Sequence, residues 1–300
     1  MSKLKLRDRI KKGVFLLDGA MGTQLFAQGI EPGTCNDWLN VESPGVVQET
    51  HRAYFDAGSD AVLTNTFGAN RCALARHGHA DKVSEINEAG AEIAAEAAGG
   101  ERYVLGDIGP TGDFLEPLGT LKAEQVKEAF AEQVEALRQG GVDGFIIETM
   151  TALDELEIAI AAAKASGGGL PVLASMSFDR GAAGFRTMMG VDVPTAVAKM
   201  LSLGVDGVGF NCGTATLGEY VELSKVYADA VRSSKRKVAV FAEPNAGKPE
   251  LVDGQAVYKV TPDEFAAACG QMLNAGICIL GGCCGTGPDH IHAVAQTLKR

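Results

Sequence analysis

DGFIIE, residues Asp143 to Glu148, is an apolar run between a turn and an acid, and a segment of helical periodicity follows it. The same unit recurs along the chain. VFLLDG begins at Val14, DAVLTN at Asp60, YVLGDI at Tyr103, PVLASMSF at Pro171, DGVGFN at Asp206, KVAVFAEP at Lys237 and GICILGG at Gly276. Several of these runs are apolar at consecutive positions, as parallel strands covered on both faces are. Eight strand-helix units predict an α/β fold, a single (β/α)8 TIM barrel formed by residues 1–300 as one domain. The alternative is a doubly wound open sheet, but DGAMGT follows the first strand where that fold would carry Gly-x-Gly-x-x-Gly.

The intervening segments support the same frame. Val126, Phe130, Val134 and Leu137 form one apolar stripe, with Glu, Gln and Lys between them. Thr261, Pro262 and Glu264 spell a helix start with a capping box, and Thr151 with Asp154 is read as a second such start. Gly58, Gly141, Gly204 and Gly276 precede strands, where glycine suits a helix C-terminus turning into a strand.

Three hundred residues with 46% hydrophobic and 22% charged content exclude a disordered or fibrous chain. Against 27 basic residues stand 38 acidic ones, and the net charge of -11 disfavours nucleic acid or an anionic membrane as partner. The N-terminal stretch lacks the apolar run of a signal peptide, and nothing approaches a membrane span. Seven cysteines, two of them adjacent, do not form a disulfide framework, so a reducing cytoplasm is expected.

In such a barrel the chemistry sits where the strands end. Those ends carry Asp18, Asn65 and Thr66, Asp107, Glu148, Ser177, Asn211 and Cys212, Glu243 and Asn245, and Cys283 with Cys284. Asp107, Ser177 and Glu243 are read as local caps or loop partners. Cys212 ends the sixth strand and the Cys283-Cys284 pair ends the eighth, so closure of the barrel brings three thiols to one rim. Three thiolates with a fourth position open describe a catalytic zinc. A four-thiol structural site would need Cys278, Cys35 or Cys72 as well. Cys278 lies below the mouth within its strand, and Cys269 falls on a helix stripe with Phe265 and Met272. Inert buried thiols are the other alternative, and Gly281, Gly282 and Gly285 around the pair disfavour it.

Zinc with three thiolates carries net charge of about -1, too electron-rich to favour activation of water. It suits capture of a substrate thiol as a reactive thiolate. The five histidines, His51, His77, His79, His290 and His292, all fall outside the strand ends.

The motifs LLDGAMGTQL at Leu16, CNDWLN at Cys35, AYFDAGSDAVLTNTFGAN at Ala53, GDIGPTG at Gly106, IIET at Ile146, GFNCG at Gly209, EPNAG at Glu243 and GGCCGTGPDHI at Gly281 run nearly end to end. Together they resemble the zinc-dependent homocysteine S-methyltransferase family, most of all the homocysteine-binding module of cobalamin-dependent methionine synthase. The resemblance implies zinc on Cys212, Cys283 and Cys284, homocysteine as fourth ligand, and methyl transfer giving methionine. It also implies that Asp18 and Glu148 hold the substrate ammonium and that backbone N–H groups around Ala20 and Met21 receive its carboxylate. Asn211, Thr66 and Asn245 are taken as positioning residues, with local loop hydrogen bonding as the alternative.

The chain ends shortly after Cys284, so separate folate, cobalamin and reactivation modules are expected to be absent. The donor is then methylcobalamin on a separate corrinoid protein, or a small onium compound such as S-methylmethionine or betaine. Other readings are methylation of a different thiol, a non-catalytic zinc-stabilised subunit, and a phosphate cradle at Gly281 to Gly287, which has no Lys or Arg before Lys299. The loops at 184–190 and 248–259, with Arg186, Met188, Met189 and Tyr258, are candidates to meet the donor or a partner, with surface loops of no special role as the alternative.

Overall fold

The computed structural model describes residues 3–252 and 255–298. Its eight main strands are β1 (Phe15–Leu16), β2 (Ala61–Leu63), β3 (Tyr103–Ile108), β4 (Gly144–Met150), β5 (Val172–Met176), β6 (Gly207–Asn211), β7 (Ala239–Glu243) and β8 (Ile279–Leu280). They form one sheet in the order β1-β8-β7-β6-β5-β4-β3-β2, and every paired neighbour is parallel. The seam between β1 and β2 is drawn together by Asp60 N–H donating to Leu16 O at 2.7 Å and by Leu63 N–H donating to Asp18 Oδ2 at 3.0 Å. This is the (β/α)8 barrel that the eight runs predict.

Strand alternation separates two buried layers. Phe15, Leu17, Ala61, Leu105, Ile146, Leu173, Phe241 and Ile279 pack with Leu6 and Ile10 of the N-terminal segment and fill the barrel's interior. The intervening positions, such as Val104, Ile147, Val208 and Val240, face the outer helices in a larger cluster. The stripe Val126, Phe130, Val134 and Leu137 is wholly buried there, each side chain contributing about 1.5–3 kcal/mol.

Helix Pro262–Ala275 starts with the expected reciprocal cap between Thr261 and Glu264. Helix Leu153–Ser166 does not use Thr151: its N-cap is Ala152, which has no side-chain cap, and Asp154 instead accepts from Glu155 N–H at 2.8 Å. Two antiparallel hairpins project from the C-terminal mouth, Asp179–Gly181 with Gly184–Arg186 and Glu250–Val252 with Gln255–Val257. Residues 253 and 254 of the second loop lie outside the described residues, as does Lys299. No helix among the described residues is long and apolar enough to cross a membrane.

Candidate active site at the barrel mouth

Alternation carries each inward position one step past the apolar layer into a polar one. Leu105 is followed by Asp107, Ile146 by Glu148, Leu173 by Ser175, Gly209 by Asn211 and Phe241 by Glu243. All five polar residues are buried. Asp18, at the end of β1, is buried beside them, and its carboxylate closes the seam.

Above this layer the three thiols converge. The Sγ atoms of Cys212 and Cys284 lie 4.0 Å apart, as do those of Cys283 and Cys284, and all three fall within 4.8 Å of one another. Tetrahedral zinc with Zn–S of about 2.3 Å needs sulfurs about 3.8 Å apart, so the spacing and the donor type fit that ion. Among the described residues no other His, Cys, Asp or Glu joins this group. Cys278 turns to the backbone of Val240, while Cys35 and Cys269 are buried among apolar side chains. The four-thiol alternative therefore has no fourth thiol.

The loops hold this geometry by backbone bonds. Cys212 adopts φ 56°, a left-handed conformation, and its carbonyl accepts from the Tyr220 hydroxyl at 2.8 Å. Cys283 N–H donates to Pro244 O at 2.9 Å, and Cys283 O accepts from the Thr286 hydroxyl at 2.7 Å. Gly285 needs φ 80°, and a Cβ there would overlap the Tyr258 ring. Gly281, Gly282, Gly285 and Gly287 all spend their N–H groups on internal acceptors. A phosphate cradle is thereby excluded, since the donors it needs are occupied.

Electrostatics separates the thiols from the acids. Hydrogen bonds from Cys212 and Cys283 pull the Cys284 thiol down to about 3, whereas its bonds to Cys212 and Cys284 push Cys283 well above the ordinary range. Cys284 is thus the most acidic thiol of the three, and a metal held there would favour the ionised form of all of them. Burial raises Asp18, Asp107 and Glu243 well above normal carboxylates, and raises Glu148 to about 7 against hydrogen bonds that favour its charge.

Asp107 and Glu243 are not local caps. Both side chains are buried in the mouth, and Asp107 Oδ1 and Glu243 Oε2 have no hydrogen-bond partner. Ser177 is half-buried, and its N–H donates to Met150 O at 2.9 Å, continuing the pairing of β5 with β4. Thr66 lies fully buried, its hydroxyl donating to Asp107 O at 2.8 Å. Asn245 donates to Gly213 O at 2.7 Å, and its Oδ1 is buried without a partner. Ala20 N–H is held by Thr286 Oγ1 at 3.1 Å, while Met21 opens helix Met21–Ala27, where the N–H groups lack intrahelical acceptors.

Of the histidines, His51 is wholly buried with neither ring nitrogen bonded, His79 stacks on Trp38, and His290 bridges Gly287 N–H and Val260 O. None belongs to the thiol group. Sequence reasoning missed Thr149, Ser175, Tyr54 and Thr286. Ser175 left a signal as a hydroxyl inside the apolar run VLASM, and the other three lie within the quoted motifs without a chemistry that singles them out.

A parallel (β/α)8 barrel with three convergent thiols and a layer of buried acids at its mouth defines a barrel with a thiol-centred site. The profile of the homocysteine S-methyltransferase family matches residues 15–298, and the chain belongs to that family. It is 34% identical to methionine synthase of Mycobacterium leprae and 35% identical to that of Mycobacterium tuberculosis, in each case over 98% of this chain. The chain spans about a quarter (25%) of the length of these relatives. The metallated form of the homocysteine methyltransferase MmuM from Escherichia coli shares the fold, with a TM-score of 0.80, 22% identity, and 98% of this chain and 100% of that one covered.

Proposed function

We propose that the barrel acts as one domain that methylates the sulfur of homocysteine, giving methionine, with zinc held by Cys212, Cys283 and Cys284. The observation that carries this reading is the 4.0 Å sulfur spacing at a barrel end that also buries the carboxyl groups of Asp18, Asp107, Glu148 and Glu243. Bound to three thiolates, zinc supplies Lewis acidity that lowers the pKa of an incoming thiol and keeps it nucleophilic at neutral pH.

The chain's own residues fix the rest of the substrate. Asp18 and Glu148 bind the ammonium by charge-assisted hydrogen bonds. The Met21 N–H serves the carboxylate, with Ala20 shaping the turn while its own N–H stays on Thr286. Burial of these acids keeps water from the reacting sulfur, so the methyl group passes to sulfur and not to solvent.

Exposed apolar side chains on four mouth loops, Phe67, Leu118, Met188 and Leu251, suit a donor carried by another protein. A separate corrinoid protein bearing methylcobalamin fits them better than a small onium donor, which needs no such surface. The free thiols and the acidic charge agree with a cytoplasmic enzyme that binds neither nucleic acid nor membrane.

Elemental analysis and zinc K-edge absorption on wild type and Cys212→Ala test the proposal. The expected result is about one zinc per wild-type chain and one added sulfur scatterer at about 2.3 Å when homocysteine is supplied. Chelation should leave the far-UV circular dichroism intact, because the barrel core does not depend on the rim thiols. A four-sulfur site indifferent to homocysteine, or unfolding on chelation, would return the protein to a zinc-stabilised subunit.

A further inference from the structure

We propose that Thr149 and Ser175 are positioning residues that set the substrate-binding carboxylate of Glu148, acting through Asn211. This rests on the reading of Glu148 as a ligand for the ammonium of homocysteine.

The argument begins with a defect in the sheet. The pairing of β4 with β5 shifts register between Ile147 and Met150, so Glu148 and Thr149 sit in a bulge. Bulges re-aim side chains near functional sites. Within it Thr149 adopts φ 59°, a left-handed conformation that a β-branched residue takes at a cost of about 1–3 kcal/mol. In this conformation Thr149 N–H donates to Asn211 Oδ1 at 2.8 Å.

That contact decides the orientation of the amide. A backbone N–H can only donate, so the Asn211 atom facing it must be the oxygen. Ser175 Oγ donates to the same oxygen at 2.7 Å and reinforces the choice. The Asn211 NH2 group is therefore turned the other way, toward the Glu148 carboxylate and Thr149 Oγ1, the latter at 2.6 Å. The Thr149 hydroxyl in turn donates a hydrogen bond to Glu148 Oε2 at 3.1 Å.

Every member of the group is satisfied. Asn211 and Ser175 are completely buried, and no atom of either is without a partner among the buried groups. Asn211 has both lone pairs and both protons engaged here, leaving nothing for a substrate. The group holds one carboxylate oxygen with two donors, and Asp107 is the carboxyl's further side-chain partner, which an ammonium would meet beside it. It also ties the acid to the thiols, since Asn211 precedes Cys212 and its Nδ2 lies 3.9 Å from Cys283 Sγ.

The test is calorimetric binding to the zinc-loaded protein of two thiols, L-homocysteine and 4-mercaptobutanoate, which lacks only the amino group. Thr149→Val keeps the shape and removes the hydroxyl; Ser175→Ala removes a donor to Asn211. Each should weaken homocysteine about tenfold, roughly one hydrogen bond to a charged group. Affinity for 4-mercaptobutanoate should stay within about twofold on the same scale. Thr149→Ser should restore homocysteine binding, which a loss of packing alone would not explain.

Equal weakening of both thiols, or no weakening of either, overturns the inference. Glu148→Gln separates this failure from failure of the underlying reading. If Glu148→Gln selectively weakens homocysteine while Thr149→Val and Ser175→Ala do not, the inference alone falls. If Glu148→Gln fails to discriminate the two thiols, the ammonium role of Glu148 falls with it.

Discussion

Gly285 stands immediately after the second paired cysteine, and its backbone admits no ordinary side chain. At φ 80° a substituent is strained, and the Tyr258 ring occupies the space a Cβ would take. Gly285→Ala should therefore displace either Tyr258 or the Cys283-Cys284 turn, at a cost of about 1–3 kcal/mol. The expected outcome is weaker zinc retention with the barrel intact, read as a shorter half-life of bound zinc in a colorimetric chelator assay while the circular dichroism spectrum is unchanged. Retention equal to wild type would show that the turn tolerates the change. At this scale the sequence was informative wherever chemistry alone identified a residue. Cys212, Cys283 and Cys284 were legible because strand-end position and residue type suffice to place them. Thr149 was not, since nothing in its side chain announces a left-handed backbone inside a bulge. Asp107 and Glu243 were misread because a carboxyl group at a strand end looks the same whether it turns to a loop or into the barrel.

Between the residue and the barrel lies a clamp made of two loops and a helix. The turn after β1 and the loop after β8 are joined by Ala20 N–H on Thr286 Oγ1, Gly285 N–H on Thr23 Oγ1 at 3.1 Å and Gly282 N–H on Asp18 O at 2.9 Å. Helix Pro44–Ala57 completes it, with the buried Tyr54 hydroxyl donating to Ala20 O at 3.0 Å. The loop that supplies two thiols and the turn proposed to meet the substrate carboxylate are thus bonded to each other directly. Thr286→Val removes a hydroxyl that both accepts from Ala20 and donates to Cys283 O. Leaving those buried groups unpaired should cost about 2 kcal/mol, or about 3 °C in Tm for a chain of this size. Differential scanning calorimetry of the zinc-loaded protein checks this, and an unchanged Tm would mean that water replaces the hydroxyl. The elements themselves were legible from apolar runs and turn glycines, because burial on both faces leaves a continuous apolar signature. Their stitching was not, since each bond joins segments far apart in the chain and uses threonines of no local distinction.

Across the whole molecule, buried ionisable groups pull stability in opposite directions as pH changes. Burial lowers His51 to about 3, and neither ring nitrogen has a partner that would stabilise the charged form. The unfolded chain, with a histidine near 6.5, takes up a proton that the folded protein refuses. Its contribution therefore improves as pH rises toward 8 and is lost as pH falls through 6.5. Glu148 behaves in the reverse sense. Burial raises it to about 7, and it faces Asp18, Asp107, Glu243 and Cys284. Folded protein holds this proton where the unfolded chain has released it, so the stabilisation is complete at acid pH and disappears as pH passes 7. Between pH 6 and 8 each effect amounts to about 1 kcal/mol, with opposite signs. Urea denaturation of the zinc-loaded protein at the two pH values should show it as a difference from wild type. Glu148→Gln should gain about 1 kcal/mol on wild type between pH 6 and 8, and His51→Gln should lose about 1 kcal/mol over the same range. Saturating homocysteine should diminish the Glu148 contrast, because a bound ammonium favours the ionised carboxylate in the folded state alone. Two variants shifting in the same direction would contradict the burial assigned to one of the pair, and a Glu148 contrast unchanged by homocysteine would remove the ammonium from its side.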